Sequence, residues 1–248
     1  MLKRLGVMLL LVAGTGIGQA AQAGETARGE ETARITAVVE LFTSQGCSSC
    51  PPADQVLSTF AERPDTLALA WHVDYWNYLG WRDTFSDAAF SERQRGYARR
   101  MEGGVFTPQV VVNGSAQTIG SRGPDVARMA RDARSMPLLP LRVHREGGRL
   151  RVTLAGTAAE RAAARGALLV LVRYERRVEV SIARGENSGL TTVYRNVVRD
   201  ARPVGRVEEG GLDVLLDADA AAGPGRALVL QAVEDDAPGP ILAATVLP

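Results

Sequence analysis

The pattern of apolar and polar positions in residues 33–136 predicts alternating strands and helices. Two β-branched, apolar runs at 35–43 and 66–73 are typical of buried strands. Apolar side chains recur at helical spacing over 51–62 and again over 84–101. This part of the chain therefore begins with the order strand, helix, strand, helix.

A hairpin and a third helix complete this first half. Asn113-Gly114 lies between two apolar runs, and this dipeptide is the strongest short-range signal for a tight hairpin turn. We expect strands at 109–112 and 115–120 on its two sides. Pro124 then suits the first turn of a helix, where a missing amide hydrogen has no cost. The predicted order of the first half is βαβαββα.

The second half of the chain, residues 138–248, shows a two-residue alternation instead. Leu150, Val152 and Leu154 alternate with polar residues, which is the period of a half-buried strand. Glycine-rich turns separate several segments of this kind. The pattern favours an all-β domain, a sandwich of about seven strands. We therefore expect an α/β domain at 33–136, followed by a β-sandwich-like domain at 138–248.

The N-terminus has the organisation of a secretory signal peptide. Basic residues come first, followed by an apolar run at 5–17 and a small-x-small cleavage pattern at 21–23. The apolar run is shorter than the about 20 residues that span a membrane. Residues 1–23 are therefore expected to be removed. The mature protein is expected to be periplasmic or secreted and to have no membrane span.

The balance of charges argues against one large class of partners. Removing Lys3 and Arg4 with the signal peptide leaves 27 basic residues against 28 acidic ones, a net charge of −1. Proteins that bind nucleic acid usually carry a basic excess on one face. We therefore expect no nucleic-acid partner.

Both cysteines of the chain, Cys47 and Cys50, lie between the first predicted strand and the first predicted helix. Such a pair suits a structural staple, a metal clip or a reactive dithiol. A disulfide across so short a loop constrains the unfolded chain by only about 2 kcal/mol. A closed zinc site needs four ligands, and the two histidines of the chain lie in different halves. Copper(I) accepts fewer, softer ligands and stays an alternative.

The position at a helix N-terminus favours the reactive dithiol. Unpaired amides and the helix dipole stabilise a negative charge there and lower the pKa of a thiol. Cys47 is the expected nucleophile, and Cys50, inside the first turn, is the expected resolving thiol. The hydroxyls of Ser48 and Ser49 are expected to donate toward the sulfur.

A second motif, Thr107-Pro108, precedes the predicted strand at 109–112. A CxxC pair after the first strand, combined with Thr-Pro before the third, resembles the thioredoxin superfamily. The resemblance implies a thioredoxin-like fold for residues 33–136. It also implies a cis bond before Pro108 and a position facing the CxxC. The backbone of Thr107 would then pair with a substrate chain.

Four segments resemble a bacterial family of secreted proteins known only as domain of unknown function 1223. The segments are ELFTSQGCSSCPPAD, HVDYWNYLGWRD, TPQVVVNG and RGENSGLTTVYRNVVR. Together they span nearly the whole mature chain. The likeness implies no defined activity.

Two ionisable residues near the cysteines have open roles. Glu40, in the first strand, is either a proton acceptor for Cys50 or a structural carboxylate with a partner. Thioredoxins carry a buried acid six residues before the first cysteine, whereas Glu40 lies seven before Cys47. Since side chains alternate along a strand, this difference changes the face. His72 suggests acid–base assistance, and a hydrogen-bonded structural histidine is the simpler interpretation.

The sequence therefore predicts an extracytoplasmic thiol-disulfide oxidoreductase. Cys47 would attack a protein or small-molecule disulfide, and Cys50 would resolve the mixed disulfide, with no metal or nucleotide cofactor. The alternative is a non-catalytic binding or adaptor protein whose CxxC is structural, or a copper(I)-binding protein.

Overall fold

A computed structural model describes residue 2, residues 34–218 and residues 225–248 of the chain. The predicted signal peptide, residues 1–23, lies outside the described residues except for residue 2. The described strands and α-helices are β1 (Ala37–Thr43), α1 (Pro51–Ala61), β2 (Thr66–His72), α2 (Ala88–Arg100), β3 (Gln109–Val112), β4 (Ala116–Ile119), α3 (Gly123–Ala133), β5 (Leu141–Glu146), β6 (Arg149–Leu154), α4 (Ala158–Ala163), β7 (Leu168–Ser181), β8 (Thr191–Arg206), β9 (Asp213–Asp217), β10 (Gly225–Glu234) and β11 (Ala237–Val246).

A large mixed sheet contains eight of the described strands, in the order β11-β10-β7-β8-β2-β1-β3-β4. Strand β1 pairs in parallel with β2 and antiparallel with β3. Strand β2 also pairs in parallel with β8, whereas the other neighbours are antiparallel. The β2–β8 pairing therefore joins strands from the two halves of the chain.

The predicted fold class is wrong. The first half does contain strands and helices in the predicted order. However, they do not form a thioredoxin-like domain followed by an all-β sandwich, because β7, β8, β10 and β11 extend the sheet of β1–β4. Strands β5, β6 and β9 form a second, three-stranded sheet. Periodicity identifies a strand and its buried face, but it does not say which strand lies beside it.

Side chains of the large sheet alternate between two buried faces. In β1, Val38 and Phe42 pack with Tyr97 of α2, whereas Val39 and Leu41 pack with α1 and α3. Farther along the sheet, β7 and β10 bury leucines in a cluster shared with β6 and β9. A residue's parity along β1 or β2 therefore decides whether it faces α2 or α1.

The first two helices begin beside the residues that position the site, α1 where the sequence predicts it and α2 later. Helix α1 begins at Pro51 with Cys50 at its N-cap, which confirms the predicted helix start beside the cysteines. Helix α2 begins at Ala88, later than predicted, because the Asp87 carboxylate accepts a hydrogen bond from the Ala89 amide and caps the helix. Among the described residues, the helices lack the combination of length and hydropathy that crossing a membrane requires.

The hairpin at Asn113-Gly114 connects the first half of the chain to β11. Asn113 Oδ1 accepts a hydrogen bond from the Val38 amide at 2.7 Å, and the Asn113 carbonyl accepts one from the Ile241 amide at 2.9 Å. Gly114 has a φ of 63°, and a Cβ there would lie 2.4 Å from the Gly239 carbonyl oxygen. The turn therefore requires glycine for its conformation and for the close approach.

Gly114→Ala should lower the free energy of unfolding by more than the cost of placing an alanine in a left-handed conformation. A left-handed alanine costs about 1–2 kcal/mol, and here the methyl group also meets fixed backbone. Gly104→Ala is the matched control, since Gly104 has a φ of 73° and open space within 4 Å of an added Cβ. Urea unfolding measures both free energies. Equal losses of unfolding free energy in the two variants would show that the close approach of Gly114 to β11 does not add to the cost of the substitution.

Candidate functional site

Cys47 and Cys50 form a disulfide at the start of α1. Their Cα atoms are 5.4 Å apart, and both residues are fully buried. The Cys50 amide donates to the Cys47 carbonyl at 3.1 Å, and the Cys50 carbonyl accepts the first hydrogen bonds of the helix. The spacing of two residues thus places Cys47 before the helix and Cys50 at its N-cap, one residue before the first turn in which the sequence placed it.

Thr107 and Pro108 lie beside this disulfide, although they are far from it in sequence. The bond between them is cis, as the resemblance implied. Thr107 Oγ1 donates to Cys47 Sγ at 3.3 Å and accepts a hydrogen bond from Trp76 Nε1 at 2.8 Å. The CxxC pair and Thr107-Pro108, the two motifs that the sequence singled out, are therefore in direct side-chain contact.

The serines between the cysteines are exposed, in contrast to the cysteines themselves. Ser49 Oγ lies 3.4 Å from Cys47 Sγ. The backbone amide of Ser48 donates to Glu186 Oε2 at 3.3 Å. Of the two serine hydroxyls expected near the sulfur, that of Ser49 is therefore the one in contact with Cys47. Ser48 instead binds Glu186 through its backbone amide.

Asn187, in the loop between β7 and β8, is a site residue that the sequence reasoning missed. It is only 6% exposed, and its Nδ2 donates to the carbonyls of Gln45 and Cys47, both at 2.9 Å. Its local sequence, Glu-Asn-Ser-Gly, is typical of any polar turn. The one available signal was that this segment belongs to the resemblance with the secreted family. Because β8 pairs with β2, the loop between β7 and β8 lies beside the cysteines.

Glu40 faces α2, on the opposite side of the sheet from α1. Its carboxylate accepts a hydrogen bond from the Tyr97 hydroxyl at 2.6 Å and pairs with Arg93 at 2.8 Å. The β1–β2 register has no irregularity, so alternation places Glu40 and Thr43 on opposite faces. This arrangement favours the interpretation of Glu40 as a structural carboxylate with partners.

Buried ionisable groups gather on the α1 face, where β1 and β2 end. Thr43 Oγ1 donates to Asp54 Oδ1 at 2.9 Å, and Thr43 is the cross-strand partner of His72. His72 Nδ1 lies 2.7 Å from Asp83 Oδ2. The His72 ring also packs edge-on against Tyr194, with ring centroids 4.9 Å apart. We call Thr43, Asp54, His72, Asp83 and Tyr194 the buried polar cluster.

The two carboxyl groups of this cluster titrate differently. Burial raises the pKa of Asp54 to about 7, although the His72 charge and the Thr43 hydrogen bond act in the opposite direction. Burial also acts to raise the pKa of Asp83. Attraction to His72 and hydrogen bonds, including one from the Gln45 amide, outweigh that effect and lower it. Near neutral pH, Asp83 is therefore a carboxylate, whereas Asp54 populates both its acid and its carboxylate form.

Metal ligation at this site would require the cysteines themselves. In the described part of the chain, no group of three or more His, Cys, Asp or Glu side chains could hold a metal ion. Cys47 and Cys50 are joined as a disulfide, whereas the thiolate is the form of cysteine that binds metals. A copper(I) site would therefore require the reduced pair.

The fold and the site define a mixed α/β protein with a CxxC disulfide at a helix N-terminus, covered by residues from both halves of the chain. The chain belongs to the family described as Protein of unknown function (DUF1223), which matches residues 38–231. This confirms the family likeness of the four segments. A search of curated proteins finds no match.

Two solved structures resemble the chain. A crystal structure of protein AGR_C_4864 from Agrobacterium tumefaciens has 32% sequence identity and a TM-score of 0.72, and the match covers 86% of this chain and 94% of that one. HBP35 of Porphyromonas gingivalis has 10% identity and a TM-score of 0.54, with 87% of this chain and 75% of that one covered. The second likeness supports the fold alone.

Asn187→Ala should destabilise the protein by about 1–3 kcal/mol, because it removes the side-chain donor of the buried Gln45 carbonyl and one of the two donors of the Cys47 carbonyl. Ser188→Ala is the neighbouring control. Its hydroxyl also donates to a backbone carbonyl, that of Ala183, but the residue is exposed. We expect a change within about 0.5 kcal/mol for this control. Equal effects in urea unfolding would mean that Asn187 does not hold the loop.

Asp54→Asn should stabilise the protein at pH 8 but not at pH 4. The pKa of Asp54 is raised from 3.8 to about 7, so the folded state binds a proton that the unfolded state releases between those values. The stability linked to this proton is complete below pH 3.8 and is lost as the pH rises to 7. The loss amounts to about 4 kcal/mol.

Urea unfolding of Asp54→Asn and the unaltered protein between pH 4 and pH 8 checks this prediction. Asp125→Asn, which alters a half-exposed carboxylate paired with Arg128, is the control and should show no such trend. A stability difference between Asp54→Asn and the unaltered protein that stays constant over the range would contradict the raised pKa.

Proposed function

We propose that the protein is an extracytoplasmic thiol-disulfide oxidoreductase that uses Cys47 and Cys50. The observation that carries this proposal is the hydrogen bond from Thr107 Oγ1 to Cys47 Sγ, 3.3 Å long, at the N-terminal end of α1. A hydroxyl donor and the dipole at a helix N-terminus both stabilise a thiolate. The thiolate is the attacking and the leaving species in disulfide exchange.

The surroundings of the two sulfurs support a division of roles. Cys47 precedes the helix and lies near the hydroxyls of Thr107 and Ser49, so we assign it as the nucleophile. Cys50 is held at the N-cap of α1 by its own backbone hydrogen bonds, so we assign it as the resolving thiol. The partner is a protein or small-molecule thiol or disulfide.

The exchange proceeds between sulfur atoms alone. A substrate thiolate attacks Cys47 Sγ, the Cys47–Cys50 bond breaks, and Cys50 leaves. A second substrate thiolate then attacks the substrate sulfur of the mixed disulfide and releases Cys47 as a thiolate. The same steps in reverse reduce a substrate disulfide. Neither direction needs a metal or nucleotide cofactor, because the electrons move from sulfur to sulfur.

Access to Cys47 depends on the side chains that cover it, since the residue is fully buried. Thr107 contacts the Cys47 sulfur and is itself bound by Trp76, whereas Asn187 binds the Cys47 carbonyl. Ser48 and Ser49, between the two cysteines in sequence, are exposed. We expect a substrate to approach over Ser48 and Ser49 and to displace one of these contacts.

The complete burial of both cysteines favours a second candidate function, a non-catalytic binding or adaptor protein with a structural CxxC. The two candidates differ in reduction potential. A structural disulfide typically lies below about −300 mV, whereas exchange catalysts lie between about −270 and −120 mV. Equilibration in glutathione buffers, followed by counting of free thiols, measures this potential. A pair that stays oxidised to below about −300 mV would rule out the oxidoreductase.

Substitution of each cysteine tests the assigned roles. Cys47→Ser should abolish exchange with a disulfide peptide, because the nucleophile is lost. Cys50→Ser should accumulate a mixed disulfide at Cys47, because nothing resolves it. Mass spectrometry after quenching with iodoacetamide detects the trapped species. Exchange that continues unchanged in Cys47→Ser would end the proposal.

A further inference from the structure

Two atoms of the buried polar cluster, Asp54 Oδ2 and His72 Nε2, have no hydrogen-bond partner among the described residues. Asp54 is 6% exposed and His72 is fully buried, so neither group faces bulk solvent. An unpaired buried polar atom costs about 1–3 kcal/mol, and most buried polar atoms in native proteins have a partner. Packing therefore does not explain why these two groups are here.

Helix geometry places Asp54 next to Cys50. The two residues are four apart, with Cys50 at the N-cap and Asp54 in the first turn of α1, and the Asp54 amide donates to the Cys50 carbonyl at 3.1 Å. Side chains at this spacing share one face of a helix, with Cβ atoms about 5–6 Å apart. Both residues are buried. The free carboxyl oxygen of Asp54 therefore belongs to the same buried helix face as the Cys50 sulfur.

The groups that face Asp54 come from three strands and from the segment that follows β2. Thr43 of β1 donates a hydrogen bond to it, and His72 of β2 attracts its negative charge. Asp83, which follows β2, repels that charge, and Tyr194 of β8 interacts with it electrostatically. Glu40 and Arg93 lie on the other face of the sheet.

We propose that Asp54 is the proton donor and acceptor for Cys50 in thiol-disulfide exchange. This inference rests on the proposed function. When a substrate thiolate bonds to Cys47 Sγ, the Cys47–Cys50 bond breaks and its electron pair goes to Cys50 Sγ. The carboxyl group of Asp54 gives its proton to that sulfur and becomes a carboxylate that His72 attracts. In the reverse step, the carboxylate takes the proton from Cys50 as its sulfur attacks Cys47.

The acidity of Asp54 suits both directions. Its pKa of about 7 means that the acid and the carboxylate are both populated near neutral pH. Proton transfer is most effective when the pKa of the catalytic group lies close to the working pH. A surface aspartate would be almost fully ionised there and would have no proton to give.

The pH dependence of reduction by glutathione tests the inference. The rate constant for attack on the oxidised protein is measured from pH 5 to pH 9 and expressed per glutathione thiolate. In the unaltered protein it should fall above about pH 7, as Asp54 loses its proton. In Asp54→Asn it should be about a hundredfold lower at pH 6 and should show no fall. Asp125→Asn, the surface control, should keep the original profile.

Thr43→Val provides a second test that does not alter the carboxyl group. It removes the hydrogen bond that favours the carboxylate, so the pKa of Asp54 should rise. The fall in rate should move to higher pH by the same amount. A purely structural role of Thr43 would lower the rate equally at every pH, and that result would count against Asp54 as the proton donor.

The outcomes separate this inference from the proposal on which it rests. An Asp54→Asn profile parallel to that of the unaltered protein would overturn the role of Asp54 and leave exchange intact. An unaltered protein that glutathione does not reduce at any pH would overturn the oxidoreductase proposal, and the role of Asp54 with it.

Discussion

The parallel pairing of β2 with β8 is the interaction on which the rest of the structure depends. Ala70 lies opposite Val197 in this register, and the side chain of Asn196 donates to the Ala68 carbonyl beside it. Through this pairing the strands of the second half extend the sheet of the first. The β7–β8 loop consequently reaches the disulfide, where Asn187 binds two carbonyls. The site is therefore a product of both halves of the chain.

The buried carboxyl groups on the two faces of the sheet differ in how completely they are hydrogen-bonded. On the α2 face, Glu40 is neutralised by Arg93 and hydrogen-bonded to Tyr97, an arrangement suited to stability. On the α1 face, within the described residues, Asp54 and His72 each keep one polar atom without a hydrogen-bond partner. A group whose lone pairs are all satisfied has little capacity to exchange a proton, whereas a partly satisfied group retains that capacity. Asp54 therefore differs from Glu40, although both carboxyl groups are buried in the same sheet.

Burial of the disulfide limits which thiols can reach the sulfur of Cys47. The exposed serines and the enclosed cysteines mean that small thiols in solution meet the loop before they meet the sulfur. A partner able to displace Asn187 or Trp76 would gain access that others lack, because those side chains hold the covering segments by hydrogen bonds. The similarity to the Agrobacterium tumefaciens protein covers 94% of that chain, so this architecture, including its second half, is shared with a relative.

The sequence by itself determined the local elements: the strands, the helix start at Pro51 and the hairpin at Asn113-Gly114. These features depend on periodicity, turn chemistry and motif, which act over a few residues. Only the tertiary structure decided that the halves share one sheet, that Glu40 faces α2, and that Asp54 and Asn187 belong to the site. Strand neighbours are chosen by contacts between distant segments, and the side-chain partner of a residue follows from that choice.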